Sequence, residues 1–243
     1  DSALNTIHAV YPGAVQDRFS NRKPPAASYG GDSPVLHYDS EDGVWIGGMF
    51  WDGRATGQKL GDPLAEQAQG PFLNPVEQNM PDSRRVCLVV SQSSYAGLFT
   101  KVWGSGTLDC SPAGVEAVFE KIARSIAAYE RTSEVNPFSS KYDQYLAGST
   151  VLSSQELNGL QLYEGKGKCA ECHPNRPRKD GKPPLFTDFT YDDLGFPKNP
   201  NDPFYKMSHQ WNPLGADYVD LGLGGFLRTA GHPEQVYQKE LGK

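Results

Sequence analysis

The stretch Lys168–Pro174, which reads Lys-Cys-Ala-Glu-Cys-His-Pro, decides how the rest of this chain is interpreted. Cys169 and Cys172 are separated by two residues and His173 follows directly, which is the attachment pattern of c-type haem. The two thiols can bind the two vinyl groups of the porphyrin, while the adjacent imidazole binds the iron as its proximal ligand. A zinc site would need further ligands at matching spacing, and a redox dithiol would gain nothing from the histidine. The stretch therefore predicts one covalently bound haem c.

The composition of the chain excludes two classes of partner. The formal net charge of −6 leaves no basic stripe that could neutralise phosphate groups, so we expect no nucleic acid. No run of about 18 apolar residues occurs, so we expect no membrane span. The 26 glycines and 19 prolines among 243 residues indicate a loop-rich protein, in which a haem macrocycle can supply part of the apolar core. The length is enough for one large domain or two small ones.

The two remaining cysteines, Cys87 and Cys110, are predicted to form a disulfide. They flank a predicted unit of helix and turn, and closing a loop of about two dozen residues can stabilise a fold by roughly 3 kcal/mol. The alternative that the residues leave open is a pair of buried free thiols. Haem c and a disulfide together indicate an oxidising, extracytoplasmic compartment.

Helix signals recur between irregular segments that are rich in proline and glycine. Asp62-Pro63 predicts the start of a short helix over residues 64–69, with the aspartate as its cap. We expect Gly70-Pro71 to end this helix. Residues 82–103 predict two further helices, because their apolar residues recur at helical spacing.

Two stronger helix signals lie on either side of the middle of the chain. Ser111-Pro112 predicts the start of the clearest helix, whose continuous apolar stripe runs to near Arg131. The Ser-Ser-Gln-Glu sequence at 153–156 is a capping box and predicts a helix that leads to the haem-attachment stretch. The Gly-Leu-Gly-Gly run at 222–225 contains too much glycine for a helix interior, so we expect a loop there.

Several short segments occur together with the attachment stretch in a fixed order. In this order and spacing the chain closely resembles the bacterial di-haem cytochrome c peroxidases and their relatives that oxidise tryptophan residues of methylamine dehydrogenase. The resemblance extends from about residue 20 to the end of the chain. Its segments, besides the attachment stretch that follows Leu162-Tyr163, are Phe50-Trp51-Asp52-Gly53-Arg54-Ala55, Glu66-Gln67-Ala68, Gly70-Pro71, Asn74-Pro75-Val76-Glu77 and Ser140-Lys141-Tyr142-Asp143.

The resemblance implies a mainly α fold of two cytochrome c-like haem domains with long loops and little β-structure. Residues 1–148 would form the first, peroxidatic haem domain, which here lacks its own Cys-x-x-Cys-His motif. Residues 149–243 would form the second, electron-transfer domain, incomplete at its C-terminal end. Family members carry the first attachment motif ahead of the position of Asp1, and the distal ligand of the second haem, a methionine or a tyrosine, beyond that of Lys243. We therefore expect an interior piece of a longer protein that binds two haems.

The resemblance also implies roles for single residues. Glu77 matches a carboxylate on the distal side of the peroxide-binding first haem, where it can take a proton from one peroxide oxygen and return it to the other. Gln67 would orient peroxide or water on the same face, and Pro71 would form part of the pocket wall. Trp51 matches a tryptophan between the two haems, where an indole can carry an electron across a gap too long for one step. From the residues alone, Glu77 could be a surface loop residue and Trp51 a packing residue.

The remaining site residues follow from the same resemblance. Cys169 and Cys172 match the thioether attachments of the second haem, and His173 matches the proximal ligand of its iron. The family often binds calcium between its domains with an asparagine side chain as one ligand, and Lys23 stands at that position here. Because an ammonium group cannot coordinate calcium, the sequence argues against calcium at this site, although the ammonium could take the place of the cation electrostatically.

For the intact protein the resemblance implies a periplasmic peroxidase that reduces hydrogen peroxide to water. Electrons would come from a small donor protein, a cytochrome c or a cupredoxin, through the second haem and Trp51. A homodimer is the family expectation. Two alternatives stay open: a related di-haem oxidase that modifies tryptophan or tyrosine of a partner protein, and a non-catalytic electron-transfer cytochrome.

Overall fold

The computed structural model describes residues 9–243, and its fold is mostly helical, with one two-stranded sheet in this part of the chain. The predicted predominance of helix is confirmed, whereas the division into two haem domains stays a prediction. No helix among the described residues is long and apolar enough to cross a membrane. The α-helices are α1 Pro63–Leu73, α2 Ser83–Ser91, α3 Ala96–Trp103, α4 Val115–Glu130, α5 Lys141–Leu146, α6 Ser154–Glu164, α7 Cys169–Cys172, α8 Gly222–Thr229 and α9 Glu234–Tyr237.

A short antiparallel hairpin precedes the first helix. Strand β1, His37–Asp39, pairs with strand β2, Val44–Ile46, so that Tyr38 lies opposite Trp45. Trp45 is buried and packs with Leu36 against two leucines of α8. The hairpin therefore joins the N-terminal half of the chain to its C-terminal part.

The largest buried cluster lies between α2, α3 and α4. It includes Val86 and Cys87 of α2, Phe99 of α3, and Val118 and Phe119 of α4. The apolar stripe predicted for α4 supplies much of this cluster, so the stripe serves packing.

A disulfide joins Cys87 to Cys110, as the sequence predicts. Cys87 is fully buried in α2, and Cys110 lies in the irregular segment that leads to α4. The bond thus ties together two segments that are 23 residues apart, at the edge of the largest cluster.

Replacing both disulfide cysteines, Cys87→Ser with Cys110→Ser, should lower the free energy of unfolding by about 3 kcal/mol. The physical reason is that the unfolded chain regains the entropy of a loop of this length. Denaturant titration of the full-length protein and of the double variant measures the difference. Equal stability of the oxidised protein and the variant would contradict a stabilising role for the disulfide.

Helix α1 begins as predicted, because the Asp62 side chain accepts hydrogen bonds from two N–H groups of its first turn. The predicted end at Gly70-Pro71 is wrong, since the helix continues to Leu73. Phe72 packs against Phe119 with ring centroids 6.0 Å apart. Burying this aromatic pair compensates for the helical hydrogen bond that the proline removes.

The predicted start of the longest helix, α4, is also wrong by several residues. The helix begins at Val115 and not at Ser111-Pro112. The Ser111 hydroxyl accepts the N–H of Gly114 at 3.3 Å and so stabilises a turn ahead of the helix. Its predicted end near Arg131 is confirmed, because the last helical residue is Glu130.

Residues 222–225, which their glycine content predicted as a loop, form the first half of α8. Leu223 and Leu227 are completely buried. A Cβ atom at Gly224 would lie 2.4 Å from the backbone nitrogen of Leu241, so the glycine lets the helix approach the C-terminal segment closely. This packing compensates for the low helix propensity of glycine.

Helix α6 confirms the predicted capping box. The Ser153 side chain accepts the backbone N–H of Glu156, and the Glu156 side chain accepts the N–H of Ser153. The helix ends at Glu164, and the attachment stretch then forms the four-residue helix α7.

Candidate functional site

Glu77 lies in the wall of a cavity of about 320 Å³, which the irregular N-terminal segment forms with α1 and the segment after it. Gln67, Pro71 and Trp51 line the same cavity. The structure therefore brings together all four residues for which the sequence predicted a role in catalysis. Three basic residues also line this wall, namely Arg22, Lys23 and Arg54. The catalytic roles themselves stay predictions.

The surroundings of Glu77 suit a group that exchanges a proton. The carboxyl group is half-buried, and this burial raises its pKa above the ordinary value of glutamate. Asn74 Nδ2 donates a hydrogen bond of 2.6 Å to Glu77 Oε1, and the positive charge of Arg54 lies nearby. Both favour the ionised carboxylate and lower its pKa, but the effect of burial is larger. The pKa thus moves toward neutral pH, as a proton carrier requires.

The N-terminal segment holds the backbone of Glu77 from the other side of the cavity. The N–H of Ala14 donates a hydrogen bond of 2.6 Å to the carbonyl oxygen of Glu77. A Cβ atom at Gly13 would lie 2.7 Å from this oxygen, so the close approach requires glycine. Arg18 donates a hydrogen bond of 3.0 Å to the carbonyl of Pro75 and fixes the same turn.

Gln67 and Pro71 are four residues apart on α1 and therefore share one face of the helix. The Gln67 side chain offers both a carbonyl acceptor and N–H donors, so it can bind either end of a small oxygen ligand. The Pro71 side chain consists only of carbon atoms and can form no hydrogen bond. Together they supply one adjustable polar contact and an apolar wall.

The attachment stretch presents its three predicted ligands together. Cys169 and Cys172 lie at the two ends of α7, and both are exposed and unpaired. His173 Nδ1 lies 2.9 Å from the carbonyl oxygen of Phe186. A proton on Nδ1 is therefore bound by this carbonyl, which leaves Nε2 as the nitrogen for a metal ion. Tyr163 Oη donates a hydrogen bond of 2.7 Å to the His173 carbonyl and holds the backbone in place.

A second cavity, of about 420 Å³, opens beside Cys172 and His173. Much of its wall is apolar or lacks side chains, and includes Gly47, Gly48, Met49, Phe189, Tyr191 and Leu194. Two thiols on one helical turn, an oriented imidazole and an apolar wall fit a covalently attached porphyrin. The residues present can therefore hold haem c at this position.

Trp51 lies in the walls of both cavities. Its side chain is 58% exposed, so packing alone does little to hold it. The indole Nε1 donates a hydrogen bond of 2.8 Å to the carbonyl oxygen of Lys23. A side chain that borders both the Glu77 cavity and the His173 cavity is placed to connect them.

A larger apolar cavity, of about 1090 Å³, lies between the end of α1 and helices α2, α3 and α4. Leu98 and Val102 in its wall are 64% and 73% exposed, so the cavity opens on an exposed apolar surface. Gln78 lies in the wall of this cavity and in that of the Glu77 cavity, so the two cavities adjoin. The size and apolar lining of this cavity fit a flat macrocycle.

Lys23 stands where the family resemblance implies a calcium ligand, and the absence of calcium there stays a prediction. Among residues 9–243, no cluster of three or more histidine, cysteine, aspartate and glutamate side chains is arranged to hold a metal ion. The carbonyl oxygen of Lys23 accepts a hydrogen bond from the Trp51 indole.

Sequence reasoning missed three residues that contact the site. Arg54 and Asn74 lie in segments that carry the family resemblance, but nothing in those segments identified Glu77 as their electrostatic partner. Arg22 carried no signal, because its partners are 30 and 198 residues away along the chain. Only the folded chain shows that its guanidinium reaches them.

Comparison with known proteins gives consistent results. Residues 4–151 match the family described as di-haem cytochrome c peroxidase. The chain is 34% identical over 216 residues to the methylamine utilization protein MauG of Paracoccus denitrificans (strain Pd 1222), a match to 88% of this chain and 51% of that protein. It is 37% identical over 134 residues to the cytochrome c551 peroxidase of Nitrosomonas europaea, a match to 55% of this chain and 34% of that protein.

A solved structure agrees with these relatives. The diheme peroxidase BthA from Burkholderia thailandensis E264 superimposes with a TM-score of 0.78 at 27% identity, over 97% of this chain and 53% of that chain. The chain thus spans about half the length of MauG and of BthA. Because the family match covers more than half of the residues, this chain belongs to the di-haem cytochrome c peroxidase family.

Proposed function

We propose that the full-length protein reduces hydrogen peroxide to water with electrons from a small redox protein. The observation that supports this most is the arrangement of Glu77, Gln67 and Pro71 around one cavity, whose wall includes an indole that also borders the His173 cavity. Membership of the family implies haem c as the cofactor, and haem iron, when bound, supplies the electrons that break the peroxide O–O bond.

Glu77 carries the proton in this proposal. Its carboxylate takes a proton from one peroxide oxygen and returns it to the other, which then leaves as water. Over the full reaction, two electrons from the donor and two protons from solvent convert one peroxide to two waters. Gln67 holds the peroxide by hydrogen bonds, while Pro71 keeps that side of the cavity apolar and so maintains the raised pKa of Glu77.

Cys169, Cys172 and His173 would hold a haem, which would supply the entry point for electrons from the donor protein. Trp51 then passes them toward the Glu77 cavity, because it borders both sites, as Phe50 and Pro25 also do, and its indole can carry an electron. A small cytochrome c or a cupredoxin, each a one-electron carrier, suits this role.

The apolar cavity between α2, α3 and α4 would hold the other haem. Leu98 and Val102, exposed in this chain, would then lie against the porphyrin and the part of the protein that carries its attachment motif. The shared wall at Gln78 supports this position, because a group bound there would adjoin the Glu77 cavity.

A second candidate function is the oxidation of tryptophan or tyrosine side chains in a partner protein. The similarity to MauG favours it, because that match spans 216 residues, whereas the match to the cytochrome c551 peroxidase spans 134. The distal ligand of the second haem discriminates between the two functions, since the resemblance associates methionine with peroxidases and tyrosine with the tryptophan-oxidising relatives.

Rapid mixing of the reduced full-length protein with hydrogen peroxide tests the proposed function. A peroxidase should consume one peroxide for every two equivalents of reduced cytochrome c or cupredoxin oxidised, and should continue to turn over. A protein that stays low-spin and does not react with peroxide would be an electron-transfer cytochrome. A protein that reacts but oxidises a partner protein in place of the donor would be a modifying oxidase.

The pH dependence of turnover should report the environment of Glu77. The carboxyl group must be ionised to accept a proton, and burial raises its pKa. The acidic limb of the kcat/KM profile should therefore lie at a pH above the ordinary pKa of glutamate. In Asn74→Ala the ionised form loses its hydrogen-bond donor, so the pKa rises further and the limb moves to higher pH. Measurement of kcat/KM against pH in the full-length protein checks this; a shift to lower pH would contradict it.

We also propose that the protein works in the periplasm and forms a homodimer. The disulfide between Cys87 and Cys110 supports an oxidising compartment, and so does the predicted thioether attachment at Cys169 and Cys172. Cell fractionation and the molecular mass in solution test these two statements separately.

A further inference from the structure

Arg22 forms a bridge between two parts of the chain that are far apart in sequence. Its NH1 lies 2.7 Å from Asp52 Oδ2, and its Nε and NH2 donate to the two carboxylate oxygens of Asp220. The Arg22 side chain is only 15% exposed. Burial alone would lower the pKa of Arg22. The two carboxylates raise this pKa by more than burial lowers it, so the guanidinium is a permanent cation. We call these two ion pairs the Arg22 bridge.

The Arg22 bridge fixes the two segments that hold Trp51, one at Asp52 and the other at Lys23. Asp52 is the next residue along the chain from Trp51, and Lys23, whose carbonyl oxygen accepts the indole N–H, is the next residue from Arg22. Because the indole is largely exposed, the hydrogen bond to Lys23 and the backbone at Asp52 determine its position.

The second ion pair extends this control to the C-terminal part of the chain. Asp220 Oδ1 accepts the N–H of Gly222, the first residue of α8, at 2.9 Å. The bonds from Arg22 hold the pKa of Asp220 below its ordinary value, although burial alone would raise it. The bridge thus connects the segment around Trp51 to α8, whose leucines pack in one core with the hairpin.

A planar guanidinium is suited to this arrangement. It offers its N–H donors in a rigid fork and can bind one carboxylate with two parallel bonds while a further nitrogen binds another. Arg54 binds Asp52 as well, at 3.0 Å, but from the side of Phe50, whose ring lies 3.8 Å below its guanidinium carbon. Arg22 is therefore the residue that connects Asp52 to the segment carrying the Lys23 carbonyl.

We propose that Arg22 is a positioning residue for electron transfer, which holds the Trp51 indole at the wall shared by the two cavities. This inference rests on the proposed role of Trp51 as the connection between the two haems. Because electron transfer depends on the distance and orientation of the carrier, loss of the bridge should slow transfer without removing either haem site.

The test is Arg22→Gln in the full-length, haem-loaded protein, beside Trp51→Phe and the double variant. Transfer between the haems is followed after rapid reduction of the second haem, and the potentials of both haems are titrated. Arg22→Gln should slow transfer severalfold, with both potentials unchanged. The double variant should be no slower than Trp51→Phe, because both changes act through the same indole. In a crystal structure of Arg22→Gln, the hydrogen bond between Trp51 Nε1 and the Lys23 carbonyl should be lost.

Arg124→Gln is the matched control, because it removes from α4 an ion-paired guanidinium that also bridges two segments: Arg124 pairs with Glu120 and donates to the Leu60 carbonyl. Its transfer rate should equal that of the unaltered protein. If Trp51→Phe slowed transfer while Arg22→Gln did not, the positioning role would be overturned and the role of Trp51 would stand. If neither change slowed transfer, the proposed function of Trp51 would fail, and the inference with it.

Discussion

Replacing Glu77 by glutamine should reduce peroxide turnover by about 10²- to 10⁴-fold, the range expected for loss of a positioned proton carrier. Glutamine has the same shape, and its carbonyl oxygen can still accept the hydrogen bond from Asn74 Nδ2. The cavity should therefore keep its form, while the side chain loses the ability to bind and release a proton. The measurement is the steady-state rate of peroxide reduction by the full-length protein with saturating reduced donor.

The matched control for this variant is Glu120→Gln, which makes the same chemical change on the exposed face of α4. Glu120 pairs with Arg124 at 2.8 Å and lies outside the walls of the Glu77 cavity. Its turnover should equal that of the unaltered protein, because a surface ion pair contributes little. Glu77→Asp should recover part of the lost rate, since it retains a proton carrier with a shorter reach. Full activity in Glu77→Gln would remove this residue from the mechanism.

The second large effect is expected from Cys169→Ala combined with Cys172→Ala. Without these thiols no thioether bond can form at α7, so the denatured protein should lose one covalent haem per chain. Turnover that depends on the donor should then be abolished, because electrons no longer have an entry point. Mass spectrometry under denaturing conditions counts the covalent haems, and the donor assay measures the loss of turnover.

The other cysteine pair supplies the control. Cys87→Ser with Cys110→Ser also removes two cysteines, but these form the disulfide between α2 and the segment before α4. This variant should lose stability and retain its full number of covalent haems. An unchanged haem count after removal of Cys169 and Cys172 would show that the haem is attached elsewhere, and the interpretation of α7 would be wrong.

The features that the sequence predicted well depend on neighbouring residues. The haem-attachment stretch lies within seven positions, and its reactive groups need only the spacing that the backbone gives them. The caps at Asp62 and Ser153 are hydrogen bonds to N–H groups two or three residues away. The disulfide was predictable because only two cysteines remained outside the attachment stretch.

The features that the sequence predicted wrongly depend on distant contacts. Helix α1 continues through Gly70-Pro71 because Phe72 packs against Phe119, which lies 47 residues away along the chain. Residues 222–225 are helical because this conformation buries Leu223 and Leu227 in the core shared with the hairpin, and the C-terminal segment passes so close that only glycine fits at Gly224. Local propensity is weak compared with burial of this kind, so tertiary packing overrode it in both places.

The same division applies to the site. The sequence by itself determined which groups can perform chemistry: a carboxylate at Glu77, an indole at Trp51, and two thiols with an imidazole at Cys169–His173. Only the tertiary structure decided that Glu77 is half-buried beside Asn74, that Trp51 borders two cavities, and that Arg22 reaches both of its carboxylates. The physical reason is that burial, pKa and the direction of a side chain are set by atoms from other segments, which meet only when the chain folds.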